Sequence, residues 1–368
     1  MKILVLMKRF GANKDMVMQD FGRQIRLFEN LSSMHSIDFL CMDYKKGESK
    51  KLQRKNIKYY IEPFSIAKIN AFLGKLKSLI TQNRYEMIVA STSPLLGIIG
   101  HFYSRKYGIK FVYDLQDSFD VYDEYKIPFV KILDRHAVKN ADIVLCVSET
   151  LRKKILEFRK KPVWVVRNGI EGNLFKPINK IKARKKLGLP LNAKIIVHIG
   201  LLARIKGYDI MMQAFNKVRL KFPNTYLLLS GAVYKYDKSH VNLRQKNVIF
   251  REFPKRKEVV LGINAADVAV LPNPPNNFTI YSFPYKIVEY MACNVPIVAT
   301  NIGDVSLLLK EFKGSLCEPN PEDMANKIIS KFKSKKRENY RRKLGKYEWK
   351  KISAEMNGRL VGKELLNK

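Results

Sequence analysis

The chain is short of acidic residues, of cysteine and of long apolar runs. It carries 33 Asp and Glu against 69 Lys and Arg, a formal net charge of +36 over 368 residues. A surplus of that size favours an anionic partner: nucleic acid, an anionic bilayer or a phosphorylated ligand. It does not choose among them, and lysine decorating every solvated face would give the same total. There are only four cysteines, at positions 41, 146, 293 and 317. None forms a C-x-x-C pair or stands at metal-ligand spacing, so a disulfide scaffold and a zinc ribbon are excluded. The four read as reduced core or near-core thiols. No apolar stretch approaches the ~20 residues that span a bilayer, so any membrane contact is expected to be peripheral. The first apolar run, Ile3–Met7, stops after five residues with no small-residue cleavage site behind it. It reads as a buried strand rather than a signal peptide, and a cytoplasmic location is expected.

What remains is 46% hydrophobic, enough to build two cores of ordinary domain size. Ile3–Met7, Ile37–Cys41, Ile57–Ile61, Met87–Ala90, Lys110–Leu115 and Ile143–Val147 have strand character. Between most of them lie segments of helical period, at Met16–Leu31, Phe64–Ile80, Leu95–Tyr107 and Phe129–Val138. The alternation restarts with strands near 195–199, 226–229, 248–250, 268–271 and 297–299, and helices near 207–220, 258–265 and 285–292. Alternation of this kind predicts an α/β chain with two doubly wound, Rossmann-like parallel sheets. The expected division is a first domain at 1–172, a linker at 173–192 rich in turn residues, a second domain at 193–345 and a C-terminal helix at 346–368 packing back toward the first domain. The charge run 331–343 reads as a solvated face.

Open parallel sheets bind ligands outside the carboxyl ends of their strands, so the chemistry is sought in the loops there. Ile195–Gly200 is a strand ending in glycine, followed by Leu201-Leu202-Ala203-Arg204-Ile205-Lys206-Gly207 and an amphipathic helix. Glycine, two cations and a helix N-terminus suit a diphosphate, although an ordinary βα loop with surface cations would look alike. Further on, Ser282-Phe283-Pro284 opens a helix with Tyr285, and Lys286 and Glu289 fall on one face. Lys286 can reach a phosphate, and Glu289 can accept two hydrogen bonds from a ribose diol. A solvated i,i+3 ion pair would share that spacing; the apolar Ile287, Val288 and Met291 around it argue against one.

With these residues in place, "VVRNGIEGNLFKP", "HIGLLARIKGYD" and "PYKIVEYMACNVPIVAT" resemble the family-4 glycosyltransferases. "ASTSPLLGIIG", "FVYDLQDSF" and "ADIVLCVSETLRKKI" extend the likeness over nearly the whole chain. The resemblance implies a GT-B fold, two Rossmann-like domains facing each other across a cleft. It implies a nucleotide-sugar donor held by Gly200, Arg204, Lys206, Ser282, Tyr285, Lys286 and Glu289, with Glu289 on the ribose. Two departures stand out. The family often has a second glutamate where this chain has Tyr281, and often an arginine where it has Leu201.

The expected reaction moves a sugar from a UDP-sugar, ahead of a GDP-sugar, to a lipid-linked or cell-envelope polysaccharide acceptor at the inner face of the membrane. Retention is expected, from the retaining family that the C-terminal motifs resemble; some relatives with the lysine-bearing helix invert. Arg204, Lys206 and Lys286 would stabilise the leaving diphosphate. No metal or cofactor is expected, and the chain has no D-x-D triplet. On the acceptor side stand Gly11, Asp114 and Asp117, with Asp117 as acceptor ligand or base; helix capping is the competing use of both aspartates. Phe64–Ile80, apolar on one side and basic on the other, could lie on an anionic bilayer or simply pack on its sheet. The alternatives are an inverting transferase, a non-catalytic nucleotide-sugar-binding subunit and, more distantly, a nucleic-acid-binding protein. The last lacks the aromatic-rich basic motifs it would need, and nucleic acid is not an expected partner.

Overall fold

The computed structural model describes residues 1–11, 14–45, 47–334 and 338–362. Its chain divides into two compact units, one formed by Met1–Arg167 with the segment from Trp349 onward, the other by Asn168–Glu348.

The first unit holds strands β1 (Lys2–Lys8), β2 (Ser36–Asp43), β3 (Lys50–Arg54), β4 (Ile57–Pro63), β5 (Met87–Ser91), β6 (Lys110–Leu115), β7 (Ile143–Cys146) and β8 (Val163–Val165). They join in the order β8-β7-β6-β5-β1-β2-β4-β3. All neighbours are parallel except β3, which runs antiparallel to β4. Helices α1 (Arg23–Glu29), α2 (Ile69–Asn83), α3 (Pro94–Tyr107), α4 (Val130–Asn140) and α5 (Glu149–Leu156) follow strands in turn. The central strands are apolar on both faces, as strands covered by helices on both sides must be; Ile3 to Met7 are fully buried.

The second unit holds β9 (Lys194–Ile199), β10 (Thr225–Ser230), β11 (Val248–Phe250), β12 (Val268–Leu271), β13 (Ile297–Thr300) and β14 (Leu316–Cys317) in the order β11-β10-β9-β12-β13-β14, all parallel. Its helices are α6 (Lys180–Leu187), α7 (Tyr208–Lys221), α8 (Arg256–Asn264), α9 (Tyr285–Ala292), α10 (Gly303–Leu309) and α11 (Pro321–Lys333). The last helix, α12 (Trp349–Leu360), belongs to the first unit. There His35 Nε2 lies 2.6 Å from Asn357 Oδ1, and the Lys110 ammonium donates to the Leu360 carbonyl at 3.1 Å.

Several expectations change. The helix expected over Met16–Leu31 shrinks to α1, because Gly22 adopts φ 114 and breaks the helical path ahead of it. The stretch 173–192 is not a linker. Its basic run folds as α6, where the buried Arg184 pairs with Asp267 at 2.7 Å and donates to the carbonyls of Ala265, Leu191 and Ala193. The second unit therefore begins at Asn168. The apolar stripe of Phe64–Ile80 mostly faces inward: Phe72, Leu76, Leu79 and Ile80 are buried, and only Ile66 and Ile69 are open to solvent. Of the charge run, 335–337 lie outside the described residues, as do 363–368 of the expected C-terminal helix. Among the described residues no helix is long and apolar enough to cross a membrane. All four cysteines are buried and free.

Two buried polar groups generate predictions. Arg23 and Asp114 form an ion pair at 2.9 Å, each about 1% exposed, that fastens α1 to β6; the Ser91 hydroxyl adds a hydrogen bond to the carboxylate at 2.8 Å. Asp114→Ala leaves a buried guanidinium without its partner. Urea unfolding is expected to show a loss of about 3–5 kcal/mol. His198, buried inside β9, is held below its ordinary pKa, at about 4, chiefly by burial and then by Lys286 and Lys206. The folded chain therefore refuses a proton that the unfolded chain accepts, and this contribution to stability fades as pH falls from about 6.5 toward 4. His198→Gln should flatten that part of the melting-temperature profile; a profile identical to that of the unsubstituted chain would refute the assignment.

Candidate functional site

Strand order in the second unit reverses at β9, which lies between β10 and β12. The loops after β9 and β12 leave the carboxyl edge in opposite directions, and the crevice between them is where an open parallel sheet takes its ligand. Glycine makes this crevice possible. Gly231 has φ 134, and a Cβ there would meet the Gly200 carbonyl oxygen at 1.8 Å. Gly207 has φ 84, and a Cβ there would lie 1.9 Å from the Pro272 carbonyl oxygen. Neither backbone conformation nor either close approach suits a side chain. Gly200 is under less pressure, since its nearest neighbour would be His198 Nε2 at 3.4 Å.

Helix α9 starts on this edge, after Pro284. Ile287, Val288, Tyr290 and Met291 bury its inner face. Tyr290 reaches under β9, its hydroxyl accepting from the Ile199 amide at 3.0 Å. That anchorage fixes the turn carrying Lys286 and Glu289, whose ammonium and carboxylate meet at 2.6 Å. Glu289 is only 2% exposed. Its other oxygen faces the Arg256 guanidinium at 3.8 Å; Arg256 in turn pairs with Glu171 at 2.6 Å and lies over the Phe175 ring. Each oxygen of Glu289 thus faces a cation. An amine and a carboxylate one helical turn apart at a strand's carboxyl edge can together hold a phosphate and a vicinal diol. Arg256 and Glu171 went unnoticed in the sequence. Arg256 sits in "PKRKE", which looks like any solvated basic run, and only the fold brings it against Glu289.

The remaining donor-side candidates divide. Lys206 lies with its ammonium 3.7 Å from the centre of the Phe278 ring, in the loop that leads to α9. Lys206 and Lys286 both act on the His198 imidazole, which also contacts the Val270 carbonyl at 3.2 Å, so the two lysines share one neighbourhood. Arg204 turns to solvent, where it meets Asp209 at 3.3 Å. Ser282 is buried and its hydroxyl donates to the Thr279 carbonyl at 3.1 Å, which makes it a brace of the loop. Tyr285 is half-buried in the first turn of α9, and Tyr281 is half-buried just before it. His198, a neutral imidazole beneath Gly200, is a further group that the sequence reading passed over; its signal was a lone histidine in an apolar strand.

In the first unit, strand order reverses between β1 and β5. Gly11 lies in the loop after β1, in a short antiparallel pairing of Phe10–Gly11 with Lys14–Asp15. Asp114, expected to face an acceptor, is instead consumed by Arg23 and buried. Asp117 lies three residues further, accepting from the Tyr122 hydroxyl at 3.0 Å. The same edge carries groups the sequence did not single out. Lys8, at the end of β1, pairs with Glu124, and its amide donates to Thr92 Oγ1 at 2.8 Å. Thr92 has φ 73, a left-handed conformation that a β-branched residue rarely adopts. His101 packs against Phe111 and His136 inside α3, away from this edge.

Comparison with known proteins agrees with this layout. The Glycosyltransferase Family 4 family matches residues 25–173, and the Glycosyl transferases group 1 family matches residues 179–351. A Bacillus subtilis (strain 168) protein named for teichuronic acid biosynthesis, the glycosyltransferase TuaC, is 28% identical over 218 residues, covering 58% of this chain and 52% of its own. The D-inositol 3-phosphate glycosyltransferase of Corynebacterium urealyticum (strain ATCC 43042 / DSM 7109) is 27% identical over 203 residues, covering 50% and 47%. The chain thus spans about half the length of these curated relatives. Among solved structures, sucrose-phosphate synthase from Thermosynechococcus elongatus superposes with a TM-score of 0.77 at 16% identity, covering 98% of both chains. Anabaena HepE, solved in complex with UDP, superposes with a TM-score of 0.76 at 18% identity, covering 98% of this chain and all of its own. At such identities the likeness speaks to the fold. Two family matches that between them take in both units, a GT-B fold in each structural neighbour and a cationic crevice at the second switch point converge: the chain belongs to the GT-B glycosyltransferases of family-4 type.

Proposed function

We propose that the chain moves a glycosyl group from a nucleoside-diphosphate sugar, a UDP-sugar ahead of a GDP-sugar, to a lipid-linked or cell-envelope polysaccharide acceptor at a membrane surface, with retention at the anomeric carbon. The observation that carries the reading is the Lys286–Glu289 pair, held on a buried helix at the switch point with Lys206 nearby. When a donor arrives, the ribose diol takes the place of the Lys286 ammonium on Glu289, and the freed ammonium turns to the diphosphate. Arg256 stays on the second carboxylate oxygen and keeps it aimed. As the glycosidic bond breaks, negative charge grows on the leaving diphosphate. Lys206, Lys286 and the amides of the loop after Gly200 stabilise that charge more than they stabilise the ground state, and the difference is catalysis. In this reading these cations supply the charge that a metal supplies elsewhere, and no metal is invoked. In the first unit, Asp117 is the acceptor ligand or base, with Gly11 also on the acceptor side. UDP and UDP-glucose are present in complexes of the HepE relative, which favours UDP as the nucleotide.

One observation favours a second reading. Tyr281 stands where the family often places a glutamate near the transferred sugar. A chain that binds a nucleotide sugar without turning it over, as a partner subunit, would tolerate that change.

The test is nucleotide binding followed by turnover. UDP should raise the melting temperature, and an oligonucleotide should not. Lys286→Ala and Glu289→Ala should each weaken UDP binding by about tenfold or more, the loss expected when a charge-assisted hydrogen bond is removed. Arg256→Ala should weaken it less, because it acts through Glu289. Binding without donor hydrolysis or transfer would select the subunit reading; failure to bind any nucleoside diphosphate would overturn both.

A further inference from the structure

Large apolar side chains open to solvent are mostly scattered, as on any soluble surface, but four gather within seven residues. Ile127 is 49%, Phe129 73%, Ile132 68% and Leu133 48% exposed. Pro128 and Lys131 between them, and Lys126 just before, are exposed as well. The segment is built against local preference. Phe129 occupies the N-cap of α4, where Ser, Thr, Asp or Asn would satisfy the free amides, and it makes no side-chain cap. It does so at φ 65, a conformation that is costly for a bulky residue, and it gains little burial in return. Such departures mark places where something other than folding is being served.

The underside of α4 is fixed. Val130, Ala137 and Val138 are buried. Asp134, also buried, receives the hydroxyl of Tyr113, and that of Tyr125 at 2.6 Å. At the far end, Arg159 donates to the carbonyls of Lys139 at 3.0 Å and Ala141 at 2.8 Å. The apolar residues are thus presented on a braced helix. Basic groups ring them: Lys126, Lys131, Arg135 and Lys139 are exposed. The acidic groups nearby are already matched, Asp123 by Lys126 at 2.7 Å and Asp120 by Lys154 and, at 3.9 Å, Lys131.

We propose that residues 126–133 form a docking surface for an anionic bilayer, with Phe129, Ile132 and Leu133 entering the acyl boundary and the surrounding lysines meeting lipid phosphates. Apolar residues within a basic surround are the chemistry of interfacial binding. The placement gives the surface a purpose, which rests on the proposed membrane-borne acceptor. Glu124, paired with Lys8 at the switch point of the first unit, lies only two residues before Lys126. A bilayer held there lies beside the carboxyl edge that carries Asp117. The docking face differs from the one the sequence suggested, since the stripe of α2 is turned inward.

The experiment is flotation of the full chain with vesicles of phosphatidylglycerol and phosphatidylcholine, or of phosphatidylcholine alone, at low and high salt. The chain should float with the anionic vesicles and be released by salt. Ile132→Ser with Leu133→Ser should cut binding by about tenfold or more, with melting temperature and the shift given by UDP unchanged. A Phe129→Trp reporter should shift to the blue on anionic vesicles and be quenched by brominated lipid. Equal binding by the double variant, or none by the unsubstituted chain, would overturn the proposal. So would a concentration-dependent dimer that the double variant dissolves, because a second copy would then be the occupant. The UDP shift reports separately on the donor side, so its loss with flotation intact would sink the glycosyltransferase reading and leave the docking surface standing.

Discussion

A carboxylate with almost no access to water sets the chemistry of the second unit. Glu289 is tolerated there because Lys286 meets one oxygen and Arg256 the other, while Tyr290, the next residue, ties the same helix to the end of β9. A buried charge without such partners would be strongly unfavourable. The same constraint makes the group useful. A carboxylate with a cation at each oxygen can exchange the ammonium for sugar hydroxyls without being left bare, because the guanidinium stays on the other oxygen. The glycines follow from it too. For α9 to begin on the carboxyl edge beside the loop from β9, the backbones of Gly207 and Pro272 must nearly touch, and so must those of Gly231 and Gly200.

How much of this could be read from the sequence depended on whether the signal was local. Strands such as Ile3–Met7 and Ile195–Ile199 announced themselves because both faces are buried, so every residue but His198 is apolar. Lys286 and Glu289 were legible because helical spacing alone puts them on one face. Structure created by distant partners was not legible. β3, "KKLQR", pairs only with β4 and is largely exposed, so it has neither alternation nor apolarity to betray it. α6 looked like a solvated linker because nothing near Arg184 in the chain reveals that Asp267 and three carbonyls will bury it. Asp114 looked like an acceptor-side residue for the converse reason. Its place after a strand is that of an active-site carboxylate, and only the fold shows Arg23 arriving from 91 residues away.

The large positive charge also resolves into different uses once the fold is known. Arg23, Arg159 and Arg184 are buried and serve structure, each gathering carboxylates or carbonyls from distant parts of its unit. Planar guanidinium suits that task better than ammonium, which is why these positions hold Arg. Lys206 and Lys286 are half-buried at the donor crevice, where a compact charge on a flexible stem can move from one partner to another. The exposed lysines beside Phe129 and Ile132 are a third group. They flank exposed apolar residues while also pairing with Asp123 and Asp120, and net charge alone could not have separated them from the rest.

A pattern connects three of the residues that take positive φ. Thr92 and Phe129 take positive φ without being glycine, and Gly207 takes it where a side chain would strike Pro272. Gly207 and Thr92 stand in loops following strands at the two points where strand order reverses; Phe129 opens the helix that follows the loop after β6. Strain of this kind persists only where rigid surroundings enforce it. The sheets provide that rigidity, since strand ends pin the loops by hydrogen bonds, as the Lys8 amide pins the Thr92 hydroxyl. A parallel doubly wound sheet therefore does more than place ligands at its carboxyl edge. It is stiff enough there to hold residues in conformations that they would not choose, and in this chain those residues lie beside the groups proposed to bind donor, acceptor and membrane.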